Sequence, residues 1–202
     1  MQVNPSQHKV FSKLLLTSSL DWTVKLWNVS SWNSSSSSSS SSAAASSKPI
    51  FEFFSSSYDY ISDVQWCPTH PAVFSTITSG GTLALWDLMK NTSEPLEIIR
   101  IARDASEEKE AVPGCALNKS AWSRDGRTVL VGDARGGVHM ISVKDGVTKF
   151  ATADASRFEM VVLSSRDLSS VQSALGKGDK MEAADEGSGG DGLSIGADAS
   201  DL

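Results

Sequence analysis

The sequence predicts an all-β chain of repeated antiparallel sheets, a fragment of a β-propeller. Three observations predict it. First, a two-strand cassette occurs three times: residues 14–29 read LLLTSSLDWTVKLWNV, residues 73–88 read VFSTITSGGTLALWDL, and residues 129–143 read VLVGDARGGVHMISV. Second, a further strand-like piece stands upstream of the last two copies, ISDVQWCP at 61–68 and LNKSAWS at 117–123. Third, the spacing is fixed. Trp66 precedes Trp86 by 20 residues and Trp122 precedes Ile141 by 19, while the step from Trp66 to Trp122 is 56 and from Trp86 to Ile141 is 55. Self-similarity at one period marks a repeat architecture, and Leu-Trp-Asp at a strand end points to WD-repeat blades. A blade takes ~40–45 residues, so 202 residues hold about two and a half blades, a C-terminal helix and a tail.

The elements follow in order. Residues 1–54 are expected to form a partial first blade whose leading strand residues 1–13 do not supply. Residues 14–17 and 23–29 read as paired strands. In the second, Val24, Leu26 and Asn28 alternate against Thr23, Lys25 and Trp27. Residues 30–47 contain nine consecutive serines, have nothing to bury, and are expected to be a disordered insertion. Such a loop is tolerated because closure entropy grows slowly with length.

Residues 55–102 make a complete blade, with strands at 61–66, 73–78, 82–88 and 96–101 separated by Pro68, Pro71, Gly80 and Gly81. Residues 103–115 are a charged loop. Residues 116–153 make the last blade, with Asp125-Gly126 as a tight turn and a fourth strand expected at 147–151. Residues 154–175 shift to a helical pattern in which Phe158, Val161, Val162, Leu168, Val171 and Leu175 share a stripe. Residues 176–202 are Gly, Ser, Ala and acid, and are expected to be disordered.

Charge and chemistry narrow the function. The net charge is −6, and residues 176–202, with two lysines and seven acids, carry −5 of it. The near-neutral body has no basic stripe, which argues against nucleic acid as a partner. No apolar run reaches the ~20 residues of a membrane span, and the N-terminus lacks the pattern of a signal peptide. Cys67 and Cys115 give no metal or disulfide spacing. A reducing cytoplasm is the simplest home. Gly187, Gly189, Gly190 and Gly192 follow no strand and open no helix, so they fail the context of a nucleotide loop. His8, His70 and His139 are scattered; His70 reads as a turn residue and His139 as solvent-facing. Cys67 reads as a buried, inert thiol. No catalytic, metal or cofactor site is expected.

The tryptophans carry the structure. Trp27, Trp66, Trp86 and Trp122 recur at strand ends and are expected to pack between sheets, while Asp21 holds a turn. Trp22 stands where a glycine is usual after the turn aspartate. It is either a partner contact or a cover for the groove between blades. Trp32 reads as exposed. The loops on the same face, with Tyr58, Asp59, Tyr60, Gly80, Asp133 and Arg135, are the candidate partner contacts. Tyr60 is expected to pack beneath its loop and Tyr58 to face outward.

The string Ser18-Ser19-Leu20-Asp21-Trp22-Thr23-Val24-Lys25-Leu26-Trp27 resembles the signature segment of cytoplasmic dynein intermediate chains. Residues 58–74 (YDYISDVQWCPTHPAVF), Ala116-Leu117-Asn118-Lys119, Val131-Gly132-Asp133, and Asp154 with Arg157-Phe158 continue it. The resemblance implies the last blades of a seven-bladed propeller. It further implies a non-catalytic subunit of the dynein motor, on the microtubule cytoskeleton in the cytoplasm. Such a subunit docks on the dynein heavy chain alongside other dynein subunits and supports cargo attachment and retrograde transport. The missing blades are then expected from a longer chain. The alternative is an independent WD-repeat adaptor that binds peptides or proteins in a regulatory complex.

Overall fold

The computed structural model describes residues 1–29, 48–55, 57–101 and 115–175, the last eleven of these by backbone alone. The serine insertion with Trp32, most of the charged loop, the acidic tail with its glycines, and the side chains of Leu168, Val171 and Leu175 lie outside the described residues.

Three antiparallel sheets follow one another. The first joins β1 (Gln2–Val3), β2 (Leu14–Ser18), β3 (Thr23–Asn28) and β4 (Phe51–Phe54) in that order. The second joins β5 (Ile61–Trp66), β6 (Val73–Thr78), β7 (Thr82–Asp87) and β8 (Glu97–Arg100). The third joins β9 (Leu117–Trp122), β10 (Thr128–Asp133) and β11 (Val138–Ser142). Strand β5 touches both β1 and β9, so the leading strands of the sheets converge and the sheets fan outward as propeller blades. A helical turn α1 (Asp145–Thr148) and helix α2 (Asp154–Leu175) end the described chain.

Residues 1–13 do contain a leading strand, contrary to the sequence expectation. The register explains it. Gln2 pairs with Leu16 and Val3 with Leu15, as Gln65 pairs with Ser75 and Trp66 with Phe74. Gln2-Val3-Asn4-Pro5 thus stands where Gln65-Trp66-Cys67-Pro68 stands one blade later. The Asn4 amide, buried, donates to the Pro71 carbonyl at 2.8 Å and ties the first two sheets together.

The fourth strand expected at 147–151 is absent. The chain instead turns out of the third sheet at α1, because its partners lie elsewhere. Thr69 Oγ1 donates to the Thr148 carbonyl at 2.9 Å. Phe150 sits 5.0 Å from the His70 ring and 6.3 Å from Phe11, edge-on to both. Helix α2 continues this crossing, and Phe158 and Val162 are fully buried, with Phe158 against Phe11 at 4.7 Å. Phe158, Val161 and Val162 all pack inward, as the stripe predicts.

Pairing residues share a face, so each sheet has two distinct sides. Phe53 of the first sheet packs on Phe74 and Trp86 of the second, each at 5.2 Å, and the Phe74 and Trp86 rings are stacked. The opposite side of the second sheet, with Ile77, Leu83 and Leu85, packs on Leu117, Val129 and Val131 of the third. Trp66 and Trp122 each reach back one blade. Trp66 donates to the Gln2 carbonyl at 3.3 Å, and Trp122 to Ser75 Oγ at 2.9 Å.

Trp27 departs from the expectation. It shares a face with Thr17, Lys25 and Leu15, turned away from the second sheet, and is only half-buried. The far face of the third sheet is likewise uncovered among the described residues. Val138, Met140 and Leu130 are exposed there.

A charged group adds to the Trp122–Ser75 bond in fastening the second and third sheets. Asp63 is buried and accepts from the Ser120 N–H at 3.1 Å, the Ser120 hydroxyl at 3.3 Å and Lys119 Nζ at 3.1 Å. Burial raises its pKa, but the Ser120 backbone N–H, Gln65 and Lys119 together outweigh that and hold it below the usual carboxylate value.

Asp63→Ala therefore strands the buried Ser120 donors and is expected to cost about 2 kcal/mol in urea unfolding. Lys119→Ala, whose side chain is 77% exposed, costs under ~1 kcal/mol. The folded pKa of Asp63 lies below its unfolded value of about 3.9. Its contribution is therefore complete above that pH and is lost as the pH falls through the folded pKa. The gap between wild type and Asp63→Ala should narrow in acid. A gap that stays constant to the lowest pH at which both fold would show that the carboxylate charge contributes nothing.

Candidate partner-docking face

Each sheet turns between its second and third strands at the same end, and these turns share a backbone demand. Trp22, Gly81 and Gly136 each lie five residues before Trp27, Trp86 and Ile141. All three have positive φ, at 66°, 84° and 87°. The Ser55 N–H donates to the Trp22 carbonyl at 2.9 Å, just as the Ile101 N–H donates to the Gly81 carbonyl at 2.9 Å. The residue leaving the fourth strand thus fixes this peptide in both sheets. Glycine meets the demand without strain, whereas an L-residue pays ~1–2 kcal/mol.

Asp21 supports the Trp22 turn. Its carboxylate accepts from the Thr23 N–H at 3.1 Å, the Thr23 hydroxyl at 2.6 Å and Lys25 Nζ at 3.0 Å. The Thr23 hydroxyl, then Lys25, hold its pKa well below the usual carboxylate range. Lys25 also reaches Glu52 at 3.1 Å. Asp133 plays a like part in the third sheet, accepting from the Arg135 N–H at 2.9 Å and the Gly137 N–H at 2.7 Å. His139 is not a free solvent-facing residue: its Nε2 lies 2.9 Å from Asp133 Oδ2. This hydrogen bond, then that of Gly137, lowers the Asp133 pKa.

The loop entering the second sheet closes on the first turn. Tyr58 also has positive φ, at 54°, and among the described residues it and Trp22 are the two non-glycine residues that do. Their rings meet edge to face, 6.1 Å apart at 88°. Trp22 is 43% exposed and Tyr58 76%. Tyr60 does not pack beneath the loop: it is 51% exposed, while its carbonyl accepts from the Ser79 N–H. A side chain at Gly80 would meet the Asp59 carboxylate, which lies against this turn and would have to swing aside.

Trp22, Tyr58, Asp59, Tyr60 and Gly80 therefore form one cluster, while Asp133 and Arg135 occupy the separate turn of the third sheet. The sequence reading missed Asp63 and the hydroxyl partners of the strand-end tryptophans. Thr17 and Thr76, each ten residues before its tryptophan, accept from Trp27 at 2.8 Å and Trp86 at 3.2 Å. That repeated Thr-to-Trp spacing was the available signal.

Among the described residues no group of three or more His, Cys, Asp or Glu is placed to hold a metal, and no helix is long and apolar enough to cross a membrane. The three sheets are blades of WD-repeat type that expose their loops and turns.

No family model matches the chain. Over 148 residues, 73% of its length, the chain is 33% identical to the cytoplasmic dynein 1 intermediate chain of Drosophila melanogaster, of which it spans 18%. The resemblance to cytoplasmic dynein intermediate chains is thereby borne out. Among solved structures, the WD40 domain of Toxoplasma gondii coronin aligns with a TM-score of 0.49 at 15% identity, covering 69% of this chain and 29% of that one.

The backbone demand at Trp22 separates two substitutions. Trp22→Gly and Trp22→Ala both remove the ring, but only glycine relieves the strain. Trp22→Gly should be the more stable of the two by about 1 kcal/mol, and Gly81→Ala should lose a similar amount. Chemical unfolding of the three variants decides it. Equal stability of the two Trp22 variants would show that the turn is unstrained.

Proposed function

We propose that this chain acts as part of a dynein intermediate-chain propeller. It docks on the dynein heavy chain, works beside other dynein subunits, and supports cargo attachment and retrograde transport along microtubules in the cytoplasm. The observation that carries this reading is the 33% identity to the fly intermediate chain over 73% of the chain. The cluster of Trp22, Tyr58, Asp59, Tyr60 and Gly80, together with Asp133 and Arg135, supplies the contacts. Its placement supports this, since exposed aromatic rings on loops held by rigid sheets are a favourable basis for a binding surface.

Tyr58→Ala in the full-length chain should weaken co-precipitation with the heavy chain by roughly 30-fold, the loss of about 2 kcal/mol that a central interface tyrosine incurs. Circular dichroism should be unchanged, because Tyr58 is 76% exposed. Undiminished capture by the folded variant would remove this loop from the interface. Failure of the wild-type chain to capture any dynein subunit would favour an independent adaptor.

A further inference from the structure

We infer that the Trp22–Tyr58 corner takes a cationic side chain, an arginine or lysine presented by an extended segment of the partner protein. The inference rests on the reading of this face as a docking surface and names the chemistry of what docks there.

Geometry comes first. Two rings stand at 88° with centroids 6.1 Å apart, one from the turn of the first sheet and one from the loop that enters the second. In an edge-to-face pair each ring keeps a face free, and both rings here are substantially exposed. An aromatic face carries negative potential and attracts a cation held within ~6 Å of the centroid, most strongly on tryptophan.

Charge is the second, independent argument. Three acidic residues flank the corner: Asp21 adjoins Trp22 in the chain, Glu52 stands on the adjoining strand, and Asp59 adjoins Tyr58 with its carboxylate against the Gly80 turn. Lys25 is the cation paired there, and it is shared between Asp21 and Glu52. Asp59 has no salt-bridge partner among the described residues. The corner is thus aromatic and net acidic, which suits a guanidinium or ammonium and repels an acidic segment.

The backbone supplies the third argument. The sister turns meet the same φ demand with Gly81 and Gly136, so a bulky ring at Trp22 is not needed to form the turn. Tyr58 adds a second strained position opposite the first. Strain of this kind persists where surrounding structure over-determines it, and it clusters at ligand clamps.

The test uses the full chain and a short Arg-Gly-Ser peptide, with a second peptide carrying norleucine in place of arginine. Binding is measured by isothermal titration calorimetry for every variant, and in the wild type the Trp22 indole N–H resonance, assigned by its loss in Trp22→Gly, locates the site. The arginine peptide should bind at least ~10-fold tighter than the norleucine peptide, and its binding should weaken as salt is raised. Trp22→Gly keeps the turn that glycine already makes in the sister sheets and should lose that preference. Tyr58→Leu, which keeps bulk without an aromatic face, should weaken it as well. Equal affinity for the two peptides, or an arginine preference that survives Trp22→Gly, would overturn the inference. Heavy-chain capture by Trp22→Gly is scored separately. Undiminished capture with lost peptide binding removes the corner from the dynein interface while leaving its cation preference standing.

Discussion

The second sheet is covered on both faces, and the rest of the molecule is arranged around that constraint. Every residue of β6 is buried. On one side Phe74 and Trp86 stack and receive Phe53; on the other Ile77, Leu83 and Leu85 meet the third sheet. A sheet buried on both faces cannot show the clean polar alternation of a half-exposed one, which is why VFSTIT carries only small hydroxyls as its polar groups. Those hydroxyls are used. Thr76 receives the Trp86 indole and Ser75 receives the Trp122 indole of the next sheet. Asp63 then adds a charged tie at the leading strands, where the sheets come closest.

The C-terminal segment solves a different problem. By leaving the third sheet after β11, it forgoes a fourth strand and instead places Phe150, Phe158 and Val162 over the junction of the first two sheets. Phe11, from the one-turn helix before β2, is the residue they cover, and it is fully buried. His70 forms part of the same lining, and burial pushes its pKa below the ordinary histidine value. The first sheet, which among the described residues packs on one neighbouring sheet, is thereby held from two directions.

Much of this architecture was legible in the sequence, because the repeat exposes itself through large residues at fixed spacing. The tryptophan steps located the strands, and Asp125-Gly126 located a turn whose Gly126 has φ of 71°. What escaped was whatever the repeat hides. Strand β1 has two residues and an apolar valine where the sister strands have tryptophan, so no aromatic marks it. The residues after Val143 retain apolar character but pair with nothing in their own sheet, and periodicity cannot distinguish an edge strand from a segment that crosses to another blade. In the docking cluster, residue type pointed to Trp22 and Tyr58. The backbone demand at Trp22 was signalled by the missing glycine, whereas nothing in the sequence marked the positive φ of Tyr58. Tyr60 reads as core because it is an aromatic beside a strand, and residue type alone does not say which way its ring turns.

The two sheet faces left uncovered among the described residues differ from one another. One carries the half-buried Trp27 and Lys25, and the other Leu130, Val138 and Met140. Both internal junctions join unlike faces in the same order, the back of one sheet to the front of the next. The molecule therefore has a polarity, like a run of tongue-and-groove boards. A two-fold partner would have to press like face on like face, Trp27 toward Trp27, for which neither internal junction offers a template. A heterologous partner can continue the series, and such a series either closes on itself as a ring or runs on without end. The direction in which any larger series can be extended is thus already written into which side of each sheet carries its tryptophan.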